Sequence, residues 1–137
     1  TNGSFDILHP AHIRLLEKAK QQGDILIVLL NSDASIKRFK GENRPIQNEK
    51  DRVEMLSALG SVDYVTIFQE DTPLKIIEKI KPLINVKGCS FFEEKIKAEK
   101  NLLESWGGKL KNFDLEEGYS TTSIIEKILK DCNTKNK

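Results

Sequence analysis

His9 and His12 are the two histidines of this chain. They stand three residues apart just after a glycine turn, in Thr1-Asn2-Gly3-Ser4-Phe5-Asp6-Ile7-Leu8-His9-Pro10-Ala11-His12. Residues three apart on a helix share a face, and Pro10 suits a first helical turn, where its missing N–H would have no partner in any case. Two imidazoles at a helix N-terminus fit group transfer at phosphate. The free backbone N–H groups and the helix dipole favour anions there, and each imidazole can donate a hydrogen bond to a phosphoryl oxygen or a leaving group. The competing chemistry is a metal site, which needs further Cys, His or carboxylate ligands at suitable spacing. Cys89 and Cys132 form no such spacing, so Asp6 is the nearby ligand candidate and metal binding is the weaker reading.

The elements that must position these residues alternate between strand and helix. Ile13, Leu15, Leu16 and Ala19 form an apolar helical stripe that ends near Gly23. Ile25 to Leu30 is a continuous apolar run, as in a parallel strand buried on both faces. Asn31-Ser32-Asp33 ends that strand and caps a short helix over 34–38. Lys40 to Pro45 reads as a polar loop, and Asn48 and Glu49 open a helix whose apolar positions are Val53, Met55, Leu56 and Leu59. Tyr64 to Phe68 is the next strand. Asp71-Thr72-Pro73 starts a helix that Pro82 ends. Ile84 to Lys87 is a strand running into Gly88, and a charged helix follows over Phe92 to Trp106, stopped by Gly107-Gly108. Lys109 to Leu115 is a last strand, and Ser120 caps a final helix carrying Ile124, Ile125, Ile128 and Leu129.

This order predicts an α/β fold: a Rossmann-like three-layer sandwich, with a parallel sheet and helices on both faces. Ligands in such folds bind at the carboxyl ends of the strands, where the loops Gly3–His9, Asn31–Ser35, Phe68–Thr72, Gly88–Phe91 and Glu116–Ser120 should meet. No repeat or linker interrupts the chain, so residues 1–132 read as one domain and 133–137 as a frayed tail. A turn of this kind follows a strand, and almost none precedes Thr1, so the chain is expected to be part of a longer polypeptide. With 38% hydrophobic and 31% charged residues, the composition is that of a globular domain. A formal charge of +1 gives no basic field for nucleic acid. No apolar run is long enough to span a bilayer, and two cysteines without a pairing motif point to a reducing, cytoplasmic setting.

The opening dodecapeptide resembles the signature of the cytidylyltransferase-like nucleotidyltransferases, Gly-x-Phe-Asp followed by His-x-Gly-His. Three further segments, in family order, are similar to the subgroup of sugar-phosphate adenylyltransferases that make ADP-heptose. They are Asn31-Ser32-Asp33-Ala34-Ser35 with Lys37, Lys40-Gly41 and Arg44-Pro45; Glu70-Asp71-Thr72-Pro73-Leu74; and Glu117-Gly118-Tyr119-Ser120-Thr121-Thr122. The chain departs from the pattern at Ala11, which stands for a Gly, at Ser4, which stands for a common Cys, and at Gly88-Cys89-Ser90-Phe91, which replaces Gly-Gly-Asp-Tyr.

The resemblance implies transfer of AMP from ATP, bound with Mg²⁺, to a heptose 1-phosphate, with release of pyrophosphate. It assigns His9, His12 and Lys40 to catalysis, with Gly3 and Phe5 shaping the turn and Lys37 and Arg44 meeting substrate phosphates. The lysines read as well as part of a solvated helix face. Asp6 would orient a histidine or hold Mg²⁺. Ser120, Thr121 and Thr122 open the last helix, where hydroxyls and free N–H groups suit the β- and γ-phosphates, although Ser120 alone could be an ordinary cap. Acceptor-site candidates are Asn31, Asp33, Lys87, Gly88 and Ser90. Lys87 reads equally well as a sheet-edge lysine, and Arg52 as one partner of a structural ion pair. Trp106 reads as helix-end packing. The resemblance also implies a homodimer, and fusion to or work beside a sugar kinase. Two alternatives compete: a cytidylyltransferase acting on glycerol 3-phosphate or a similar alcohol phosphate, and a nucleotide-binding module that no longer catalyses. A fragment of a class I aminoacyl-tRNA synthetase is set aside, because the chain is short and lacks a Lys-Met-Ser-Lys-Ser-like segment.

Overall fold

The computed structural model describes residues 1–88, 93–114 and 116–135. The elements run β1 (Asn2–Gly3), α1 (Pro10–Lys20), β2 (Ile27–Asn31), α2 (Asp33–Lys40), α3 (Glu49–Ser57), β3 (Tyr64–Phe68), α4 (Leu74–Ile80), β4 (Ile84–Gly88), α5 (Glu93–Glu104), β5 (Lys109–Phe113) and α6 (Thr121–Lys135). Every strand pairing is parallel, as the alternation predicts, with Asn2 opposite Leu29, Ile27 opposite Tyr64 and Ile84 opposite Lys109. The ladders form two groups, β1-β2-β3 and β4-β5, in place of the single continuous sheet expected. β1 is only two residues long, and side chains bridge it to β4: Lys87 Nζ donates to Asn2 Oδ1 at 2.9 Å.

Period-two alternation along β2 divides the core between two layers. Val28 and Leu30 pack with Leu16 and Ala19 of α1 and Leu56 of α3, while Leu29 packs with Ile77 of α4 and Leu103 of α5. Caps set the helix starts, as the sequence suggests: Ser32 accepts from the Ser35 N–H at 3.1 Å and Asn48 from the Asp51 N–H at 3.0 Å. Trp106 does pack at a helix end, donating to the Pro82 carbonyl at 3.0 Å. The last helix continues to Lys135, past the expected fraying point at 133, and leaves Ile128 and Leu129 exposed. Among the described residues, no helix is long and apolar enough to cross a membrane.

Helix α3 departs from its expected apolar face. Met55 is exposed, and the buried positions are Leu56 and Arg52, four residues apart on one face. Arg52 is 1% exposed. Its Nη1 donates to the Ser4 and Asn31 carbonyls, both at 2.8 Å, its Nε to the Gln47 carbonyl at 3.0 Å, and its Nη2 to Asp33 Oδ1 at 2.7 Å. One guanidinium thus joins the turn after β1, the end of β2, the start of α2 and the entrance to α3. Arg52→Met should lower the free energy of unfolding by about 3 kcal/mol, since it leaves an acid and three carbonyls without their donor. Arg52→Lys should recover little, because a single ammonium cannot span four acceptors. Urea denaturation checks both; a loss below about 1 kcal/mol for the Met variant would remove Arg52 from this central role.

Candidate active site

The turn between β1 and α1 folds tightly. Phe5 and Ile7 both sit in the left-handed region, at φ 47° and 52°, which non-glycine residues rarely occupy. The Phe5 ring folds back onto Gly3, where a Cβ would meet it at 3.0 Å. Asp6 lies beneath this turn, 2% exposed. Its Oδ1 accepts the Gln47 N–H at 2.9 Å, and its Oδ2 accepts the Ile46 N–H at 2.8 Å and Arg44 Nε at 3.2 Å. Asp6 therefore holds the 44–47 segment against the turn. The expectation for Asp6 is to orient a histidine or hold Mg²⁺, and its oxygens here meet Arg44 and the Ile46 and Gln47 N–H groups. No group of three or more His, Cys, Asp or Glu among the described residues could hold a metal. Mg²⁺ is commonly held by one or two carboxylates together with substrate phosphates, without a dedicated protein cage.

Above the turn, His9 caps α1 in extended conformation and His12 lies one turn on. Their rings stack at 3.6 Å with 20° between planes. His12 Nδ1 accepts the His9 N–H at 3.4 Å, which places the proton of a neutral His12 on Nε2. His9 is 9% exposed, and its Nδ1 has no partner among the described residues. Burial pushes the His9 pKa below its ordinary value. His12 is lowered from 6.5 to about 4, first by burial and then by the neighbouring His9 and Lys40 charges, against a small opposing pull from Asp6. Burial, with the charges of Arg44 and Arg52 behind it, also lowers Lys40, and Asp6 opposes this.

These residues open onto a cleft of about 250 Å³ at the carboxyl ends of the strands. Of the residues singled out from sequence, His9, His12, Lys40, Arg44, Gly88, Ser120, Thr121 and Thr122 line it together, as does Ala11. Gly88 is also a packing position, because a Cβ there would meet the Leu15 side chain at 2.6 Å. Thr121 Oγ1 donates to the Asp6 carbonyl at 2.5 Å and fastens the start of α6 to the β1 turn, while Ser120 Oγ accepts the Ser123 N–H at 2.9 Å as a cap.

The other candidates lie elsewhere. Gly3 and Phe5 shape the turn from behind. Lys37 pairs with Glu42 at 3.7 Å on the surface. Asn31 and Asp33, expected on the acceptor side, are held by Arg52. Lys87, expected there too, is ion-paired with the buried Glu99 at 2.8 Å, and Glu99 also accepts from Asn85 at 3.0 Å. Ser90 and its neighbour Cys89 lie outside the described residues. Residues to which the sequence gave no individual site role also line the cleft: Leu15 and Lys18 on the α1 face, and Phe113, Asp114, Glu116 and Tyr119 where β5 leads into α6. The helical spacing from His12 to Leu15 and the position of the Glu116–Ser120 loop were the available signals. A larger groove of about 480 Å³ lies at the opposite end of the strands beside Thr1, but Ile25, Leu26, Leu83 and Ile84 make it apolar and it holds none of these groups.

Comparison with known proteins agrees with this geometry. The family model described as Cytidylyltransferase-like matches residues 1–127. The chain is 52% identical over 133 residues to the Bifunctional protein HldE of Helicobacter pylori (strain Shi470), covering 97% of this chain and 28% of that protein. It is 49% identical over 130 residues to the Bifunctional protein HldE of Geobacter metallireducens, covering 95% of this chain and 26% of that protein. The chain thus spans just over a quarter of the length of these curated relatives. Among solved structures, the lipopolysaccharide core biosynthesis protein from Thermoplasma volcanium GSS1 superposes with a TM-score of 0.67 at 30% identity, covering 87% of this chain and 94% of that one. A protein of unknown function from Archaeoglobus fulgidus shares the fold, with a TM-score of 0.59 at 16% identity.

The histidine pair makes stability depend on pH. Between about pH 6.5 and 4 an unfolded His12 binds a proton that the folded one refuses. The stabilising contribution is therefore complete above that window and is lost as pH falls through it. His12→Gln, which keeps an acceptor for the His9 N–H, should narrow the gap between urea midpoints measured at pH 7 and pH 4.5. An unchanged gap would place the acid sensitivity elsewhere.

Proposed function

The chain belongs to the cytidylyltransferase-like family, and from that premise we propose that it transfers AMP from ATP to a heptose 1-phosphate and releases pyrophosphate. The observation that carries this reading is the single cleft in which the stacked His9–His12 pair, Lys40, Arg44 and the hydroxyl-bearing start of α6 all converge. The high identity to the Bifunctional protein HldE relatives supports the choice of acceptor.

In this reading an oxygen of the sugar 1-phosphate attacks the α-phosphorus of ATP in line. One P–O bond forms as the bond to the β-phosphate oxygen breaks, and the electron pair leaves with pyrophosphate. Such a step needs alignment and charge neutralisation more than a covalent nucleophile. His12, with its proton on Nε2, donates to a phosphoryl oxygen, and His9 lies against it at the N-terminus of α1, where free N–H groups face the same anion. Lys40 and Arg44 neutralise the charge that gathers on the phosphates, and the start of α6 with Ser120 and Thr122 receives the tail of the triphosphate. ATP enters with Mg²⁺ as part of the substrate. The acceptor sugar lies toward Gly88 and the end of β5. The same reading places the reaction in the cytoplasm, on one nucleotidyltransferase domain spanning residues 1–132. It also joins that domain to a sugar kinase, fused or separate, and to a second copy of itself.

Pyrophosphate release with Mg²⁺, ATP and heptose 1-phosphate tests the proposal. Turnover with this pair, reduced at least about a hundredfold in His12→Ala while thermal unfolding stays cooperative, is the expected result. Turnover only with CTP and glycerol 3-phosphate would replace the substrate assignment. Nucleotide binding without release from any pair would replace catalysis with binding alone.

A further inference from the structure

Arg14 stands two residues beyond His12 on α1, outside the residues that line the cleft. Its guanidinium forms an ion pair with Glu116 and lies over the Tyr119 ring at 5.5 Å. Glu116 and Tyr119 both line the cleft, and both belong to the connection between β5 and α6. The Tyr119 ring lies nearly parallel to that of His9, with 20° between planes and 6.3 Å between centroids. One guanidinium therefore couples the helix that carries the histidine pair to the segment that delivers Ser120, Thr121 and Thr122.

Stability does not account for this arrangement. The Arg14 and Glu116 side chains are 48% and 33% exposed, and pairs in that setting add little to folding. Among the described residues it is nevertheless the only ion pair between the β5–α6 connection and α1. The second fastening lies on the inner side, from Thr121 Oγ1 to the Asp6 carbonyl. A triphosphate that reaches from the histidine pair to the start of α6 must match the distance between them, and both fastenings set that distance. Arginine suits the outer one, since a planar guanidinium can pair with a carboxylate and lie on an aromatic face together, whereas an ammonium is a point charge.

We propose that Arg14 is a positioning residue for the nucleotide: acting through Glu116 and Tyr119, it holds the Ser120–Thr122 turn in register with the His9–His12 pair and so sets affinity for the triphosphate. This rests on the adenylyltransferase reading above, and a binding measurement separates the two.

The experiment uses the full chain. The affinity for the non-hydrolysable analogue α,β-methylene-ATP, with Mg²⁺, is measured by calorimetry, and KM and kcat by pyrophosphate release. Arg14→Ala should raise both the analogue Kd and the KM for ATP by roughly tenfold. The KM for the sugar phosphate, kcat and the thermal midpoint should stay near wild type. Arg14→Lys, which keeps the charge and loses the planar stack, should fall between the two. Arg14→Ala and Tyr119→Leu should be markedly less than additive on Kd, because they break one chain of contacts. An unchanged Kd in Arg14→Ala, additive effects, or a fall in kcat at constant KM would overturn the proposal. A wild type that binds the analogue without turnover would overturn the transferase reading and leave Arg14 to be judged on Kd. A wild type that binds no nucleotide would overturn both.

Discussion

A single buried cation organises the ground on which the cleft stands. Arg52 has no water to solvate it, so its N–H groups must all be met by protein acceptors, or the desolvation cost of the charge is not offset. Ser4, Asn31, Asp33 and Gln47 provide four acceptors from three separate stretches of chain. The geometry of a planar guanidinium then restricts where each stretch can lie. The turn that carries the histidines, the end of the central strand and the entrance to α3 are thereby brought to one point. Lys40 reaches the cleft from α2, and α2 begins at the Asp33 that Arg52 holds.

Asp6 repeats the arrangement with opposite sign. It is buried, and it gathers two backbone N–H groups and Arg44 Nε from the 44–47 segment, while its own carbonyl receives Thr121. The carboxylate therefore acts on the site indirectly. It fixes the segment that presents Arg44 and leaves that guanidinium at the cleft wall, while the main-chain carbonyl of Asp6 attaches the start of α6 to the same turn. The left-handed backbone at Phe5 and Ile7 is the local cost of this close fit, on the order of 1–3 kcal/mol each.

Much of this was legible in the sequence, and the division follows a physical line. Apolar periodicity and capping residues placed β2, α1 and α3 and the parallel alternation, because those signals are local. The histidine pair and Ser120–Thr122 drew notice because they open helices, and Lys40 and Arg44 through the family resemblance, and all of them line one cleft. Arg52, Asp6 and Lys87 were harder. Their partners are main-chain carbonyls and N–H groups, or an acid such as Glu99 on a helix that otherwise reads as solvated, and no side-chain pattern announces a backbone acceptor. Asn31 and Asp33 were named acceptor candidates through the resemblance, and their bonds to the buried arginine had no local signal in the sequence. Phe5 and Ile7 gave no sign of positive φ, since neither is glycine or asparagine.

The ion pairs around the cleft differ in burial according to what each must do. Arg52–Asp33, Arg44–Asp6 and Lys87–Glu99 each have at least one nearly buried partner, and they join segments that have no reason to move. Further hydrogen bonds fix them, from Arg52 to backbone carbonyls, from backbone N–H groups to Asp6, and with the Asn2 and Asn85 side chains at Lys87–Glu99, so losing one partner strands a charge in a poor solvent. Arg14–Glu116 lies at the rim, half open to water, where breaking it costs little. In the proposed reaction a triphosphate enters and pyrophosphate leaves while the reacting centre stays aligned. The histidine turn is fixed from below by Asp6 and Arg52. The β5–α6 side is held to that turn by the Arg14–Glu116 pair and the Thr121 hydroxyl, so the spacing between the two walls rests on few contacts.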